Sequence, residues 1–296
     1  MILIAGGTGS LGMQVVRLLT ARGLSVRILT REPEHAAHLR SALVEIAPGD
    51  IRDPQAIKQA VTGAQTIISA IHGFSGSGAN SPRTVDWQGN HNLIQAAQAS
   101  GATHFILMSI QGASSAHPIE LFRMKDRAEQ ALRASALMWT IIRPTAYMET
   151  WAKIIGEPLL TAGATRIFGR GCNPINFVSV YDIAQFVALA VLDPTMHGRL
   201  IEVGGPQNLS LRQFAQTFET VTGRTGTKAS IPLPMMRLMA VLMRPLNPTL
   251  ARQIQAGVVM DTMDMTFDSS DTYHRYPGIA ITELAEVVRR DYRAGI

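Results

Sequence analysis

Two periods of apolar residues alternate along the first half of the chain. Short apolar runs predict buried strands, and the stretches between them repeat apolar residues every three or four positions, as amphipathic helices do. The predicted strands are Met1–Ala5, Ser25–Leu29, Val44–Ala47, Thr66–Ala70, Phe105–Met108 and Trp139–Ile142. Strands that alternate with helices predict a parallel sheet with helices on both faces. The expected fold is therefore α/β and doubly wound.

The regular alternation stops near residue 150. Residues 144–176 show no clean period, so we expect them to belong to a smaller C-terminal substrate lobe. Strand and helix patterns return at about 177–205, where Asp182 is expected to cap a helix. The predicted organisation is a nucleotide-binding domain over 1–150, with those returns, interleaved with a lobe over 151–296.

The first predicted strand runs directly into a glycine turn. Gly6, Gly9 and Gly12 are spaced G-x-x-G-x-x-G, and the next helix begins around them. Unpaired N–H groups and the dipole at a helix N-terminus favour an anion, and a turn without side chains lets a pyrophosphate approach. A tight turn without a ligand would also need glycines, but the strand–turn–helix context favours a Rossmann-type dinucleotide site. The residues expected to bind there are Gly6, Thr8, Gly9, Ser10, Leu11 and Gly12.

The end of the second strand selects the cofactor. A site selective for NAD places Asp or Glu there to bind the ribose 2′-hydroxyl, whereas this chain has Thr30 and Arg31. Arginine binds a 2′-phosphate through charge-assisted hydrogen bonds. The sequence therefore predicts NADP(H), unless Arg31 points to solvent or is neutralised by Glu32 and Glu34.

The next two strands end in further candidate cofactor residues. Asp50, followed by Ile51, could accept a hydrogen bond from the adenine amino group or could cap a turn. Ala70, Ile71 and His72 follow the fourth strand, where the backbone must pass close to the cofactor. We expect all five residues near the nucleotide.

Composition narrows the classes of protein that the chain could represent. Hydrophobic residues make up 46% and charged residues 17% of the 296 positions, which argues against disorder. The net charge is +5, but the arginines are dispersed, so a basic cofactor pocket is favoured over nucleic-acid binding. The chain has one cysteine, Cys172, and neither an apolar stretch long enough to span a membrane nor a signal peptide, so we expect a soluble cytoplasmic protein. We also expect a monomer or a weak homo-oligomer. His35 and His38 lack a third ligand, so no metal is expected.

Several motifs together resemble one family. They are Gly6 to Gly12, Thr30-Arg31, Asp50, Ser109, Lys125, Ile142-Arg143-Pro144 and Val180 to Ala184. The chain resembles the atypical short-chain dehydrogenase/reductases, and within them the NmrA-like branch of NAD(P)H-dependent quinone reductases, redox-sensing regulators and an accessory subunit of respiratory complex I. The resemblance implies that Ser109, Lys125 and Pro144 lie at the cofactor and that Lys125 is the catalytic candidate.

One position departs from the classical members of that superfamily. They use a Tyr-x-x-x-Lys pair in which tyrosine donates the proton, but Leu121 stands four residues before Lys125. Loss of a general acid costs typically about 10²–10⁴-fold in rate. Tyr147 is the nearest spare hydroxyl. Lys125 itself would hold the nicotinamide ribose, or would be a surface lysine paired with Glu129.

Two functional hypotheses remain. The first is an NADPH-dependent oxidoreductase that passes hydride to a small electron-poor acceptor such as a quinone, because such an acceptor can take its proton from water. The second is a non-catalytic NADP(H)-binding redox sensor or assembly factor. The missing tyrosine motivates the second hypothesis. The apolar, methionine-rich segment 235–244 is expected to be a buried or cleft-lining helix; the alternative, contact with a partner or a membrane surface, would also favour the second hypothesis. Nucleotide-sugar chemistry is disfavoured because it needs the tyrosine.

Overall fold

The structure, a computed structural model, describes residues 1–76 and 78–292, so the last four residues of the predicted lobe lie outside the described residues. The strands are β1 (Ile2–Ala5), β2 (Val26–Thr30), β3 (Val44–Pro48), β4 (Thr66–Ser69), β5 (His104–Met108), β6 (Met138–Pro144), β7 (Ala146–Tyr147), β8 (Ala164–Phe168), β9 (Ile175–Val178), β10 (Arg199–Val203), β11 (Asn208–Leu209) and β12 (Thr227–Ile231). The α-helices are α1 (Ser10–Thr20), α2 (Pro54–Val61), α3 (Asn90–Ala99), α4 (Glu120–Arg133), α5 (Met148–Trp151), α6 (Glu157–Ala162), α7 (Val180–Leu192), α8 (Leu211–Thr222), α9 (Leu233–Leu246), α10 (Pro248–Thr262), α11 (Ser270–Arg275) and α12 (Leu284–Tyr292). Two π-helical segments, Arg83–Gly89 and Ala152–Gly156, precede α3 and α6.

The main sheet has seven strands in the order β10-β6-β5-β4-β1-β2-β3. The pairings from β3 across to β6 are all parallel. The chain builds outward from β1 to β3, then crosses to β4 and continues on the other side, which confirms the doubly wound α/β fold. In such sheets, ligands bind beyond the carboxyl ends of the strands where the order reverses, here between β1 and β4.

The chain divides into two compact units. Unit 1 comprises Met1–Arg143 and Ile183–Ile201, and unit 2 comprises Pro144–Asp182 and Glu202–Ile296. The core of unit 1 includes fully buried residues of β1, α3 and β5, such as Leu3, Leu93 and Phe105. These positions are the continuous apolar runs and helical stripes of the sequence, because strands covered on both faces contain few polar residues.

Unit 2 has a separate core and two small sheets. Strands β11, β9 and β7 form one sheet, and β12 pairs with β8 in parallel to form the other. Phe177, Phe214 and Phe218 are fully buried in a core that also takes residues from α12. The aperiodic segment 144–176 folds into short elements around this core, which explains why no single period describes it.

Local signals at helix starts had different outcomes. Ser210 and Gln213, spaced as in a capping box, form one at the start of α8. The prediction that Asp182 caps α7 is wrong, because α7 begins at Val180 and the Val180 amide donates to the Glu149 carboxylate. Asp182 instead accepts hydrogen bonds from the backbone amide and the hydroxyl of Thr282. A partner 100 positions away leaves no trace in the local pattern.

Among residues 1–76 and 78–292, no helix is both long and apolar enough to cross a bilayer.

Candidate functional site

A cavity of about 390 Å³ lies in unit 1, at the carboxyl ends of the strands where their order reverses. It is walled by the β1–α1 turn, the ends of β2 and β3, and the segment that follows β4. Its size lies within the range of small-molecule and cofactor pockets. The lining residues are Gly6, Thr8, Gly9, Leu29, Thr30, Arg31, Glu32, Gly49, Asp50, Ile51, Arg52, Ala70, Ile71, His72, Gly73, Ser75, Gly76, Asn80 and Val85.

The three glycines of the first turn are needed for different reasons. Gly6 has φ +87°, and a Cβ there would lie 2.6 Å from the Ala70 carbonyl oxygen. A Cβ at Gly12 would lie 2.1 Å from the Gly6 carbonyl oxygen, so α1 could not pack against the turn. A Cβ at Gly9 would meet only the Gly6 oxygen at 3.4 Å, with an ordinary φ of −76°. Protein packing therefore requires glycine at Gly6 and Gly12, whereas a Cβ at Gly9 would make only one contact, at an ordinary distance.

The N-terminus of α1 opens at this turn. Gly9 is its N-cap residue, no side chain caps the helix, and its first turn contains no acidic residue. The first N–H groups of a helix have no partner within it, and together with the dipole they favour a negative charge. The turn therefore brings donors suited to a pyrophosphate to the wall of the cavity.

The structure brings ten predicted cofactor residues together around the cavity: Gly6, Thr8, Gly9, Thr30, Arg31, Asp50, Ile51, Ala70, Ile71 and His72. Ser10, Leu11 and Gly12 form the first turn of α1 and lie outside the lining. Ser109 and Lys125 also belong to unit 1 but lie outside the lining, and Pro144 belongs to unit 2. The contact of these residues with a nucleotide stays a prediction.

Two arginines stand at the β2 and β3 side of the cavity. Arg31 Nη1 donates to Asn80 Oδ1 at 2.8 Å, so its partner is a neutral amide. The carboxylate of the neighbouring Glu32 lies 2.9 Å from His35 Nδ1, so it pairs with that ring and does not neutralise Arg31. Arg31 therefore retains a positive charge at the position predicted for a 2′-phosphate.

Arg52 is a lining residue that the sequence analysis missed. Its guanidinium binds both oxygens of Asp50, and its Nη1 donates to the Ala79 carbonyl at 3.0 Å. The Arg52 side chain, with a smaller contribution from its backbone amide and from Arg31, lowers the pKa of Asp50. Both Asp50 oxygens are thus bound within the protein. This agrees with the alternative that the Asp50 carboxylate has a structural role. A basic residue two positions after Asp50 was the available signal.

Lys125 is buried rather than a surface lysine paired with Glu129. Its side chain is 5% exposed, and Nζ lies 3.1 Å from the Asp86 carboxylate. The ammonium also donates to the carbonyl oxygens of Ile71 at 2.8 Å and Met108 at 2.9 Å. The other Asp86 oxygen accepts from the Gly73 amide at 2.8 Å. Two donors of the ammonium therefore hold the backbone after β4 and at the end of β5, and its charge is paired with Asp86.

Asp86 itself had no signal in the sequence analysis. It lies in the π-helical segment Arg83–Gly89 and is completely buried. Single π-helical turns occur often at functional sites because they shift a side chain off the regular helical register. The Lys125–Asp86 ion pair connects this segment to the wall of the cavity through Ile71 and Gly73.

Ser109 belongs to a second buried cluster in unit 1. Its hydroxyl donates to the Glu129 carboxylate, which also receives Arg143 Nε and Nη2, each at 2.8 Å. Arg133 approaches the same carboxylate at 3.3 Å. The buried Glu129 charge is thus paired, and Ser109 helps to hold it. These contacts give the predicted Ser109 and the family-like Arg143 a structural role at the ends of β5 and β6.

Leu121 and Tyr147, the two positions considered for the general acid, belong to different units. Leu121 lies in the first turn of α4, within unit 1. Tyr147 lies in unit 2, where burial and the Glu149 carboxylate raise the pKa of its phenol. Across residues 1–76 and 78–292, no three His, Cys, Asp or Glu side chains are placed to hold a metal ion.

The order of the parallel strands, with an uncapped helix N-terminus at their switch point, defines a Rossmann-type α/β protein with a nucleotide-sized cavity. The model of the NmrA-like family matches residues 1–272. The chain therefore belongs to the NmrA-like family, which confirms the predicted resemblance.

Individual relatives differ in the functions that their names give. The chain is 28% identical to the NAD(P)H azoreductase of Xenophilus azovorans over 239 residues, 79% of this chain and 78% of the relative. It is 27% identical to the photosystem II assembly factor Ycf39 of Synechocystis over 238 residues, 80% of this chain and 72% of the relative. The crystal structure of an NADPH-dependent quinone oxidoreductase from Escherichia coli with NADPH has a TM-score of 0.79 at 22% identity, covering 98% of this chain and 99% of that one.

Proposed function

We propose that the cavity of unit 1 binds NADP(H). The glycine turn and the α1 N-terminus would hold the pyrophosphate, and Arg31 the 2′-phosphate. The observation that carries this proposal is the glycine at position 9, beside the uncapped N-terminus of α1. A Cβ there would meet only one atom, at 3.4 Å, so packing within the protein does not require a glycine at Gly9. Such a glycine suits a group that must approach the backbone closely.

The ligand residues fit the phosphates in charge as well as in space. Arg31 is bound to a neutral amide and keeps its charge, whereas the charge of Arg52 is balanced by Asp50. An arginine in place of the acidic residue of NAD sites favours the 2′-phosphate. Arg31 therefore supplies the preference for NADPH, and Arg52 supports it by keeping Asp50 occupied.

We propose further that the protein is a reductase of small electron-poor acceptors such as quinones. Bound NADPH would supply a hydride, and the reduced acceptor would take its proton from water. That source of the proton fits a site in which leucine occupies the position of the general acid, Leu121. The azoreductase and the quinone oxidoreductase among the relatives support reduction of such acceptors.

Lys125 has a positioning role in this proposal. Its ammonium holds the Ile71 carbonyl in the cavity wall, and its charge is balanced by Asp86. The wall segment 70–76 therefore depends on a buried ion pair. Ile71 and Met108 take two of the three donors of the ammonium, and Asp86 Oδ1 lies 3.1 Å from Nζ.

A non-catalytic NADP(H)-binding factor is the second candidate. Leu121 stands on α4 at the position of the proton-donating tyrosine, and Lys125 is paired with Asp86. A relative named as an assembly factor is 27% identical, almost the same as the azoreductase at 28%. Nucleotide binding is common to both candidates, and hydride transfer distinguishes them.

Calorimetric titration of NADPH and NADH tests the binding site. Wild type should prefer NADPH, Arg31→Ala should lose that preference, and Gly9→Ala should lose affinity for both nucleotides. Arg40→Ala and Gly278→Ala are matched controls, since Arg40 lies outside the cavity lining and a Cβ at Gly278 meets nothing within 4 Å. Equal binding by wild type and Arg31→Ala would contradict the assignment of the 2′-phosphate site.

Oxidation of NADPH with a panel of quinones, azo compounds and enones then separates the two candidates. Turnover of any quinone supports the reductase. A protein that binds NADPH but oxidises it with no member of the panel is the non-catalytic factor.

A further inference from the structure

The outward face of α9 consists of large apolar side chains. Met235, Leu238, Val241, Leu242 and Leu246 are 47%, 59%, 70%, 55% and 76% exposed. Their spacing places them on one side of the helix, opposite Met236, the buried residue of α9. Exposed apolar residues scattered singly are ordinary, but a contiguous apolar face marks a surface that another body covers.

Positive charge flanks this face. No acidic residue occurs between Glu219 and Asp261, a stretch that contains Arg224, Lys228, Arg237, Arg244 and Arg252. Arg237 and Arg244 are seven residues apart, so both lie along one edge of the apolar face, and both are exposed. Within the described part of the chain, neither has an ion pair with an acidic residue.

The charge pattern distinguishes between possible occupants of the face. If a second copy bound symmetrically through α9, it would bring the arginines of both helices into one contact, with no acidic residue in the helix to pair them. A surface of anionic headgroups would instead pair both arginines while the apolar side chains enter the acyl region. Long arginine side chains reach the headgroups from the edge of such a helix.

We propose that α9 binds the surface of an anionic lipid bilayer, lying in the plane of the interface. Its 14 residues span only about 21 Å at about 1.5 Å per residue, too short for a bilayer core of roughly 30 Å. Apolar burial and headgroup pairing act together in this mode of binding. The helix belongs to unit 2, whereas the nucleotide cavity lies within unit 1, so the two sites can be tested separately.

Co-sedimentation of the purified full chain with vesicles tests the proposal. We expect binding to an equal mixture of phosphatidylcholine and phosphatidylglycerol, little binding to phosphatidylcholine alone, and loss of binding as salt rises from about 0.1 M to about 0.5 M. Arg237→Gln with Arg244→Gln should weaken binding about 30-fold, since each basic residue contributes about 1 kcal/mol. Leu238→Glu with Leu242→Glu should weaken it more than about a hundredfold.

Leu192→Glu is the matched control, because that leucine is 48% exposed but lies on α7. Circular dichroism and NADPH titration should show every variant folded with its cavity intact. The proposal is overturned if the chain ignores both kinds of vesicle, binds both equally, or binds equally well after Leu238→Glu with Leu242→Glu. Sedimentation velocity without lipid adds another arm: a dimer that this double variant abolishes would assign the face to a second copy and refute lipid binding.

Discussion

Replacement of Lys125 by methionine tests whether the lysine holds the cavity wall. Methionine retains the apolar stem but removes the charge, so the completely buried Asp86 would keep only the Gly73 amide, and two carbonyl groups would lose their donor. At the observed 3.1 Å separation, the charge pair interacts by about 5 kcal/mol at an effective dielectric constant of 20. Breaking one side of a buried pair typically costs about 3–5 kcal/mol.

Urea unfolding followed by circular dichroism measures this cost. At an m-value of about 3 kcal/mol/M, the midpoint of Lys125→Met should fall by roughly 1–2 M. Lys125→Met combined with Asp86→Asn removes both charges and should recover much of the loss, which a double-mutant cycle quantifies. The control Lys58→Met changes an exposed lysine of α2 and should leave the midpoint unchanged.

The result that would refute this reasoning is specific. If Lys125→Met unfolds like wild type and binds NADPH normally but loses quinone turnover, the lysine acts on the reacting groups and does not position the wall.

Three further predictions concern stability. Gly12→Ala should cost about 2–3 kcal/mol or more in urea unfolding, because its Cβ would lie 2.1 Å from the Gly6 carbonyl oxygen. Gly9→Ala should change the free energy of unfolding by less than about 1 kcal/mol. Equal losses in the two variants would contradict the packing argument. Burial and the neighbouring His197 lower the pKa of His104 to about 4, so the unfolded chain binds a proton that the folded protein excludes. The free energy of unfolding should therefore fall by up to about 3 kcal/mol as pH drops from about 6.5 to 4. His104→Gln should flatten this loss when unfolding is measured against pH. Burial raises the pKa of Asp182 to about 6, so the folded protein takes up this proton at a higher pH than the unfolded chain does. The contribution of Asp182 to stability therefore rises as pH falls from above 6 to about 4. Asp182→Asn should remove that rise, and an unchanged stability profile would contradict the argument.

The parallel sheet was predictable because its signals are local. Strands β1 and β5, Ile2–Ala5 and His104–Met108, are runs of four and five buried residues, because both faces of the sheet exclude water. The β1–α1 turn was equally accessible, since the glycines that the packing demands stand within a few residues of each other. Unit 2 was not predictable in this way, because its short elements carry no sustained period and depend on a shared core.

In the candidate site, too, the residues at strand ends were predictable, and their partners from distant segments were not. Arg31 and Asp50 could be named from their places at the ends of strands, but Asn80, which binds Arg31, comes from a distant segment. Asp182 illustrates the opposite error: a local capping signal was inferred, and a contact with Thr282 prevailed.

The sequence by itself therefore determined the strands, the glycine turn and the basic residue that follows β2, because apolar periodicity and turn chemistry act over about ten residues. Only the tertiary structure decided that Lys125 pairs with Asp86 and that Asn80 binds Arg31. It also decided that the apolar residues of α9 face outward. Side-chain pairing and burial depend on which elements become neighbours, and the order of the strands sets that for the whole of unit 1 at once.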